Sequence, residues 1–418
     1  MALTTNYVVR PPTLVTDFSS TTGMTLTQGT GSVALDTTPT YVRTGTKSLK
    51  IVQQASASSA LVDLDMRNAA FGGTGSEGPS ALADNLWHLR CFVDAPGNQN
   101  NLSFFVSNTA GGFTDYFSQT VMGPSLSSIP NRWWDRVENR KDWSVAGGSP
   151  SWVTPVRTIR IRPGANANGT LTTWLDALYR GGYARPKVVI TFDDSSDGQY
   201  LLAKPVLDTY GFKATFYIIG VSVRNSVAGA LSQSQVNTLY DQRHDIGSHA
   251  WTDGDHTNYS TATAAELATN HANWIAYAEG RYPRSYRHHA MPTGADSDTI
   301  QAAARAAGFY TGRGTRRLIQ NHLLGIDDPL NLRCYSVNFA SDSVNSLMAA
   351  STAAITYGST LFLNFHAVHA TTTSGQQISV ADFTTLMADL YRKQQSNLLD
   401  VVTVSQWWDG LSGSRPVR

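Results

Sequence analysis

The stretch KVVITFDD, residues 187–194, ends a short apolar run in two adjacent carboxylates, Asp193 and Asp194, and histidines recur downstream of it. Val188, Val189, Ile190 and Phe192 read as a buried strand of a parallel sheet. The two acids then fall at its C-terminal end, where barrel enzymes keep their chemistry. Adjacent residues there point in different directions. One carboxylate can bind a cation while its neighbour stays free as a general base, the two roles that metal-assisted hydrolysis requires. The competing reading is a polar turn after a strand.

The elements around the pair decide between these readings. The segment TFDDSSDGQYLLAKPVLDTYGFKATFYIIG reads as strand, loop, helix (about Tyr200 to Tyr210), a stop at Gly211 and a second apolar strand through Phe216 to Ile219. This order resembles the polysaccharide deacetylases, the fourth carbohydrate-esterase family or NodB-homology domain. The resemblance implies a deformed (β/α) barrel in which Asp193 is the catalytic base and Asp194 a metal ligand. Ser195 stands where the family has glycine.

Three further segments extend the resemblance. RHDIGSH matches the phrase that brings the family's first histidine ligand, which implies His249. Counting back from Glu266 through HTNYSTATAAEL implies His256 as the second, after a three-residue insertion in a loop over 250–255, with Asp253 and Asp255 as reserve candidates. His244 reads as a structural histidine. RHHAMPTG resembles the oxyanion turn and implies Pro292, Thr293 and Gly294, with the Thr293 amide as donor. Ala290 occupies the place of the family's orienting arginine, leaving Arg287 and Arg333 as substitutes and Asp342 as a partner for such an arginine. STLFLNFHAVHA resembles the closing motif. It implies His366 as the general acid for the leaving amine or alcohol, with His369 as competitor, and Leu361 or Leu363 as the acetyl-pocket wall. Two imidazoles and a carboxylate leave open positions for water and substrate, as catalytic zinc sites do. Zn²⁺ is the expected cation, with Co²⁺, Ni²⁺ and Mn²⁺ as alternatives.

The N-terminal part reads differently. Runs over 41–54, 86–96, 101–108, 155–164 and 171–182 are strands punctuated by Gly, Asn and Pro, at the spacing of a β-sandwich. Tyr-x-x-x-Gly-x-x-Ser-Leu-Lys-Ile and the closing Trp-Leu-Asp-x-Leu resemble jelly-roll domains of the carbohydrate-binding type. The expected division is a sandwich over 1–182, for glycan binding or attachment, and a barrel over 183–418. Trp133, Trp134, Trp143 and Trp152 could stack on sugar rings from an exposed face, but sandwich cores use indoles freely, and the core reading is preferred.

Composition sets the outer bounds. A chain of 418 residues accommodates two full cores, and a net charge of +1 without any basic run argues against nucleic acid as a partner. Cys91 and Cys334 fall in different expected domains and read as buried thiols. No apolar run reaches the ~20 residues of a spanning helix, so no membrane insertion is expected. The N-terminus lacks the pattern of a secretory signal. The expected location is therefore extracellular through a trimmed leader, or a tail-associated virion protein released by lysis, with other tail proteins or further copies of the chain as partners. The functional expectation is a metal-dependent deacetylase that uses metal-activated water on an N- or O-acetylated bacterial surface polysaccharide. The alternatives are an inactive glycan-binding or structural tail protein, and a non-peptide C–N amidase acting on a small molecule.

Overall fold

The computed structural model describes residues 13–76, 78, 86–122, 132–139, 143–181, 185–317, 329–371 and 373–410. The chain divides into two compact units, residues 10–183 and 184–418. The N-terminal MALTTNYVVRPP stretch and residues 182–184 of the expected junction lie outside the described residues.

The first unit is all-β, two antiparallel sheets sharing one core. One sheet orders Ser32–Asp36, Ser48–Gln53, Leu171–Arg180, Leu86–Val93 and Arg132–Asn139, with Thr13–Thr16 beside Leu171–Arg180. The other runs Ser144–Gly147, Tyr116–Met122, Gln99–Ser107, Thr158–Ala165, Leu61–Asp65 and Met24–Thr27. Alternation turns Leu49 and Ile51, Leu89 and Cys91, Phe104 and Val106, and Ile159 and Ile161 into the space between the sheets. A bulge between Leu175 and Ala177 keeps both Leu175 and Leu178 in that core and frees Asp176 to accept from the Arg43 and Thr44 amides at 2.7 and 3.0 Å. Trp143 is buried and Trp152 packs on the same core, as the core reading expects. The side chains of Trp133 and Trp134 lie outside the described residues.

The second unit is a closed parallel barrel. Lys187–Phe192, Thr215–Ile218, Asp245–Ser248, His288–Ala290, Thr311–Arg317, Leu332–Ser336 and Thr360–Phe365 pair in sequence order. The ring shuts because Lys187–Phe192 pairs with both Thr215–Ile218 and Thr360–Phe365. A short strand, Asp400–Val402, adds to the early half of Lys187–Phe192. Alternation sorts each strand: Val188, Ile190 and Phe192 face the helical layer, while Val189 joins Tyr217, Leu332, Phe362 and Trp407 inside the ring. Both cysteines are buried thiols. Among the described residues no helix is long and apolar enough to cross a membrane.

Candidate active site

The strand Lys187–Phe192 delivers Asp193 inward and then turns sharply. Asp194 and Ser195 both take left-handed backbone, φ 66° and 59°, which costs a non-glycine residue about 1–2 kcal/mol. The turn separates the two acids: Asp193 is 2% exposed, while the Asp194 side chain is 43% exposed. Ser195 holds the position usually given to glycine by hydrogen bonds instead. Its Oγ accepts from the Ile219 amide at 2.8 Å and its carbonyl from the Leu231 amide at 2.7 Å.

Asp193 sits against a buried guanidinium. Arg313 on Thr311–Arg317 is fully buried, and its Nη2 lies 2.5 and 2.6 Å from the two Asp193 oxygens. Burial works against the Asp193 charge, but Arg313, with smaller contributions from His249 and His366, holds its pKa below the ordinary carboxylate range. Neither Arg287 nor Arg333 does this. Arg287 donates to the Tyr286 hydroxyl and the Gly308 carbonyl, and Asp342 accepts from the Tyr335 hydroxyl and the Asn338 amide. The signal in the sequence was an arginine flanked by Gly312 and Gly314 on a barrel strand. Gly312 is tight, since a Cβ there would come within 2.8 Å of Met291 and 2.9 Å of the Leu330 carbonyl.

His249 follows Asp245–Ser248 and His256 belongs to the short helix Asp253–Thr257. His249 Nδ1 lies 2.9 Å from the Ala290 carbonyl, which fixes its proton there and turns Nε2 toward the acids. His249 Nε2 and His256 Nε2 each lie 3.3 Å from Asp194 Oδ1 and 3.2 Å from each other. Ligand atoms around a tetrahedral cation bonded at about 2.0 Å are about 3.3 Å apart, so the donor set and its spacing fit a divalent ion. Asp194, His249 and His256 are the one such group among the described residues.

The segment expected to bulge as a loop instead folds into that single helical turn. Thr252 caps it, and Asp255 answers with a hydrogen bond to the Thr252 amide. Asp253 accepts from Ser222 Oγ at 2.9 and 3.0 Å. Neither reserve acid joins the triad.

Residues 180–312 match the family model for polysaccharide deacetylase. That match covers about a third of the chain, which over this segment is similar to polysaccharide deacetylases. Among solved structures, it is similar to the Streptococcus pyogenes deacetylase PplD in complex with acetate, at 23% identity and a TM-score of 0.32 over 35% of this chain and 62% of that one. A family 4 carbohydrate esterase from Streptomyces lividans, in complex with acetate, gives 15% identity and 0.35, over 56% and 98%. A family 4 acetyl xylan esterase from Clostridium thermocellum, in complex with a cobalt ion, gives 18% identity and 0.36, over 55% and 93%. This chain thus spans less than two thirds of the streptococcal protein. No curated protein matches it.

The remaining candidate site residues surround the triad unevenly. Pro292–Gly294 is a 3₁₀ turn in which Thr293 takes φ 56°. Gly294 and Ala295 donate to the Met291 and Pro292 carbonyls, while none of the described residues accepts from the Thr293 amide. Gly294 is required, because a Cβ there would lie 2.0 Å from Thr315 Oγ1 and φ is +71°. His366 follows Thr360–Phe365, half-buried, with Nδ1 unpaired among the described residues. Burial lowers its pKa against the pull of Asp193 and Asp194. His369 is exposed on Ala367–His369. Gln199, which the sequence did not flag, donates from Nε2 to both the Asp193 and His366 carbonyls, at 2.5 and 2.9 Å, and so ties the two strand ends together.

One assignment needs correction. Leu361 and Leu363 are fully buried in the helix-facing core with Phe192 and Phe365, so they pack the barrel and do not wall a pocket. The period of two puts Phe362 and Asn364 on the opposite side of that strand. His244 is structural as expected, its Nδ1 accepting from the Ala214 amide at 3.1 Å.

Proposed function

We propose that the chain is a metal-dependent deacetylase that removes acetyl groups from an N- or O-acetylated bacterial surface polysaccharide. The observation that carries this is the triad Asp194, His249 and His256 set beside the buried Asp193–Arg313 pair at the C-terminal end of the barrel strands. A divalent cation held by the triad would supply Lewis-acid activation of water and of the acetyl carbonyl; two imidazoles and a carboxylate favour Zn²⁺, with Co²⁺, Ni²⁺ or Mn²⁺ as substitutes.

The protein's own groups do the rest. Asp193, kept ionised by Arg313, accepts the proton of the attacking water. The Thr293 amide donates to the carbonyl oxygen as it becomes an oxyanion. His366 gives a proton to the departing nitrogen or oxygen as its bond to the acetyl carbon breaks, releasing acetate and a free amine or hydroxyl. Its lowered pKa makes it a stronger acid with a smaller protonated fraction near neutrality. The substrate class puts the enzyme outside the cytoplasm, as an extracellular protein or part of a virion tail, with the sandwich as glycan-binding or attachment module.

Acetate release from acetylated glycans, measured alongside metal content, tests this. Asp193→Asn should lose turnover by ~10²–10⁴ and keep its metal, whereas Asp194→Asn and His256→Ala should lose both. Metal loss in Asp193→Asn, or tight metal binding in His256→Ala, would overturn the assignment.

A further inference from the structure

Behind the triad lies a second, fully buried polar chain that no step above uses. The Tyr259 hydroxyl is 2.9 Å from His271 Nε2 and 2.8 Å from His289 Nε2, and His289 Nδ1 is 3.1 Å from the Ser248 carbonyl. All three side chains are 0% exposed. The proton count closes in one direction: His271 Nε2–H donates to the Tyr259 oxygen, Tyr259 O–H to His289 Nε2, and His289 Nδ1–H to Ser248. Burial supports two neutral rings, lowering His271 to about 4 and His289 well below its ordinary value.

The endpoints of this chain give it meaning. Tyr259 stands three residues beyond His256, on the 3₁₀ turn that follows its helix. Ser248 immediately precedes His249, and His289 precedes Ala290, whose carbonyl takes the His249 Nδ1 proton. The Tyr259 ring also packs with Leu267, Met291 and Ile300, the second of which leads into the Pro292–Gly294 turn. One hydroxyl therefore fastens the backbone segments that carry both histidines of the triad.

We infer that Tyr259, together with His271 and His289, is a positioning network that holds His249 and His256 at ligand spacing. The inference rests on the metal-site reading above. Outer-shell partners of metal-bound histidines are typically worth ~10–100-fold in affinity.

Tyr259→Phe removes the hydroxyl and keeps the ring. In the full-length chain, zinc affinity measured against a competing chelator should fall ~10–100-fold, and the visible absorption of the Co²⁺-loaded protein should change in position or intensity. Unchanged zinc affinity and an unchanged cobalt spectrum, with only a lower melting temperature of the metal-free protein, would make Tyr259 merely structural and overturn the inference. Should Tyr259→Phe not fold, His271→Leu, one bond further from the triad, is read by the same two measurements and the same outcomes. A wild-type chain that binds no zinc, or a His256→Ala variant that binds as well as wild type, would instead sink the metal-site reading itself.

Discussion

The sandwich and the barrel both bury large aromatic cores, but they bury different polar groups. In the sandwich, Trp87, Phe104, Trp143 and Trp152 follow one another edge to face at 5.1–5.9 Å, and Phe117 stacks on Trp152 at 4.1 Å. Among its described residues only His88 and Asp176 are buried side chains of the Asp, Glu, His, Lys and Arg types. The barrel stacks Phe192 on Phe216 at 5.0 Å in the same manner, yet it also buries Asp193, Asp245, Arg313 and five histidines, 244, 249, 271, 288 and 289. Burying a charge or an imidazole costs stability unless partners surround it. Of the barrel's buried groups, Asp193 and His249 lie at the C-terminal ends of their strands, whereas His244 and Asp245 stand at the start of Asp245–Ser248 and His271 on the helix Ala264–Ala278. The sandwich, with its core given to apolar packing, is organised around its own stability.

The sharpest way to break this contrast is to remove the cation that Asp193 depends on. Arg313→Met leaves a buried carboxylate alone and should cost the barrel about 3–5 kcal/mol in urea unfolding, along with most of the acetate release. The double variant Arg313→Met with Asp193→Leu should recover much of the stability and none of the activity. If Arg313→Met alone is neutral, Arg313 is not what compensates the buried Asp193 charge.

Acid should separate the units next. His244 and His271 in the barrel and His88 in the sandwich are each pushed by burial from 6.5 to about 4, and burial also holds His289 well below its ordinary value. The unfolded chain takes up these protons near pH 6.5 while the native one refuses them until about 4. The linked stability is therefore present above pH 6.5 and lost as pH falls toward 4, on the order of 3 kcal/mol for each of His244, His271 and His88. His249, where the Asp193 and Asp194 charges outweigh burial, is shifted upward and offsets part of the barrel's loss. Calorimetry of the metal-free protein between pH 7 and 4.5 should show the barrel transition falling further than that of the sandwich. Equal shifts would remove the distinction.

The smallest effect belongs to the sandwich. Asp176→Ala takes away the acceptor shared by the Arg43 and Thr44 amides and should cost about 1–3 kcal/mol. Acetate release from small acetylated sugars should be unchanged. A loss of turnover there would show that the two units are coupled in function.

The sequence by itself determined the type of the main elements and, through the family resemblance, most of the candidate chemistry. The apolar run into Asp193–Asp194, the period of two in the sandwich strands and the caps around Thr263 and Ser343 are local patterns, and local sterics and hydrogen bonding are enough to realise them. Through the family resemblance, His249 was legible from the phrase RHDIGSH and His256 by register from Glu266, although Asp253–Thr257 forms a capped helical turn where a loop over 250–255 was expected. Tertiary structure decided what depended on residues far apart in the chain. Arg313 meets Asp193 across 120 positions, and Gln199 reaches His366 across 167. Only barrel closure brings such strand ends together, so no spacing in the sequence announces them. The same holds for Leu361 and Leu363, whose direction is set by which face of the closed ring meets the helices. Ser195 shows the limit from the other side: its left-handed backbone is a local event, but the hydrogen bonds that let a serine hold it come from Ile219 and Leu231, residues that the fold alone brings to it.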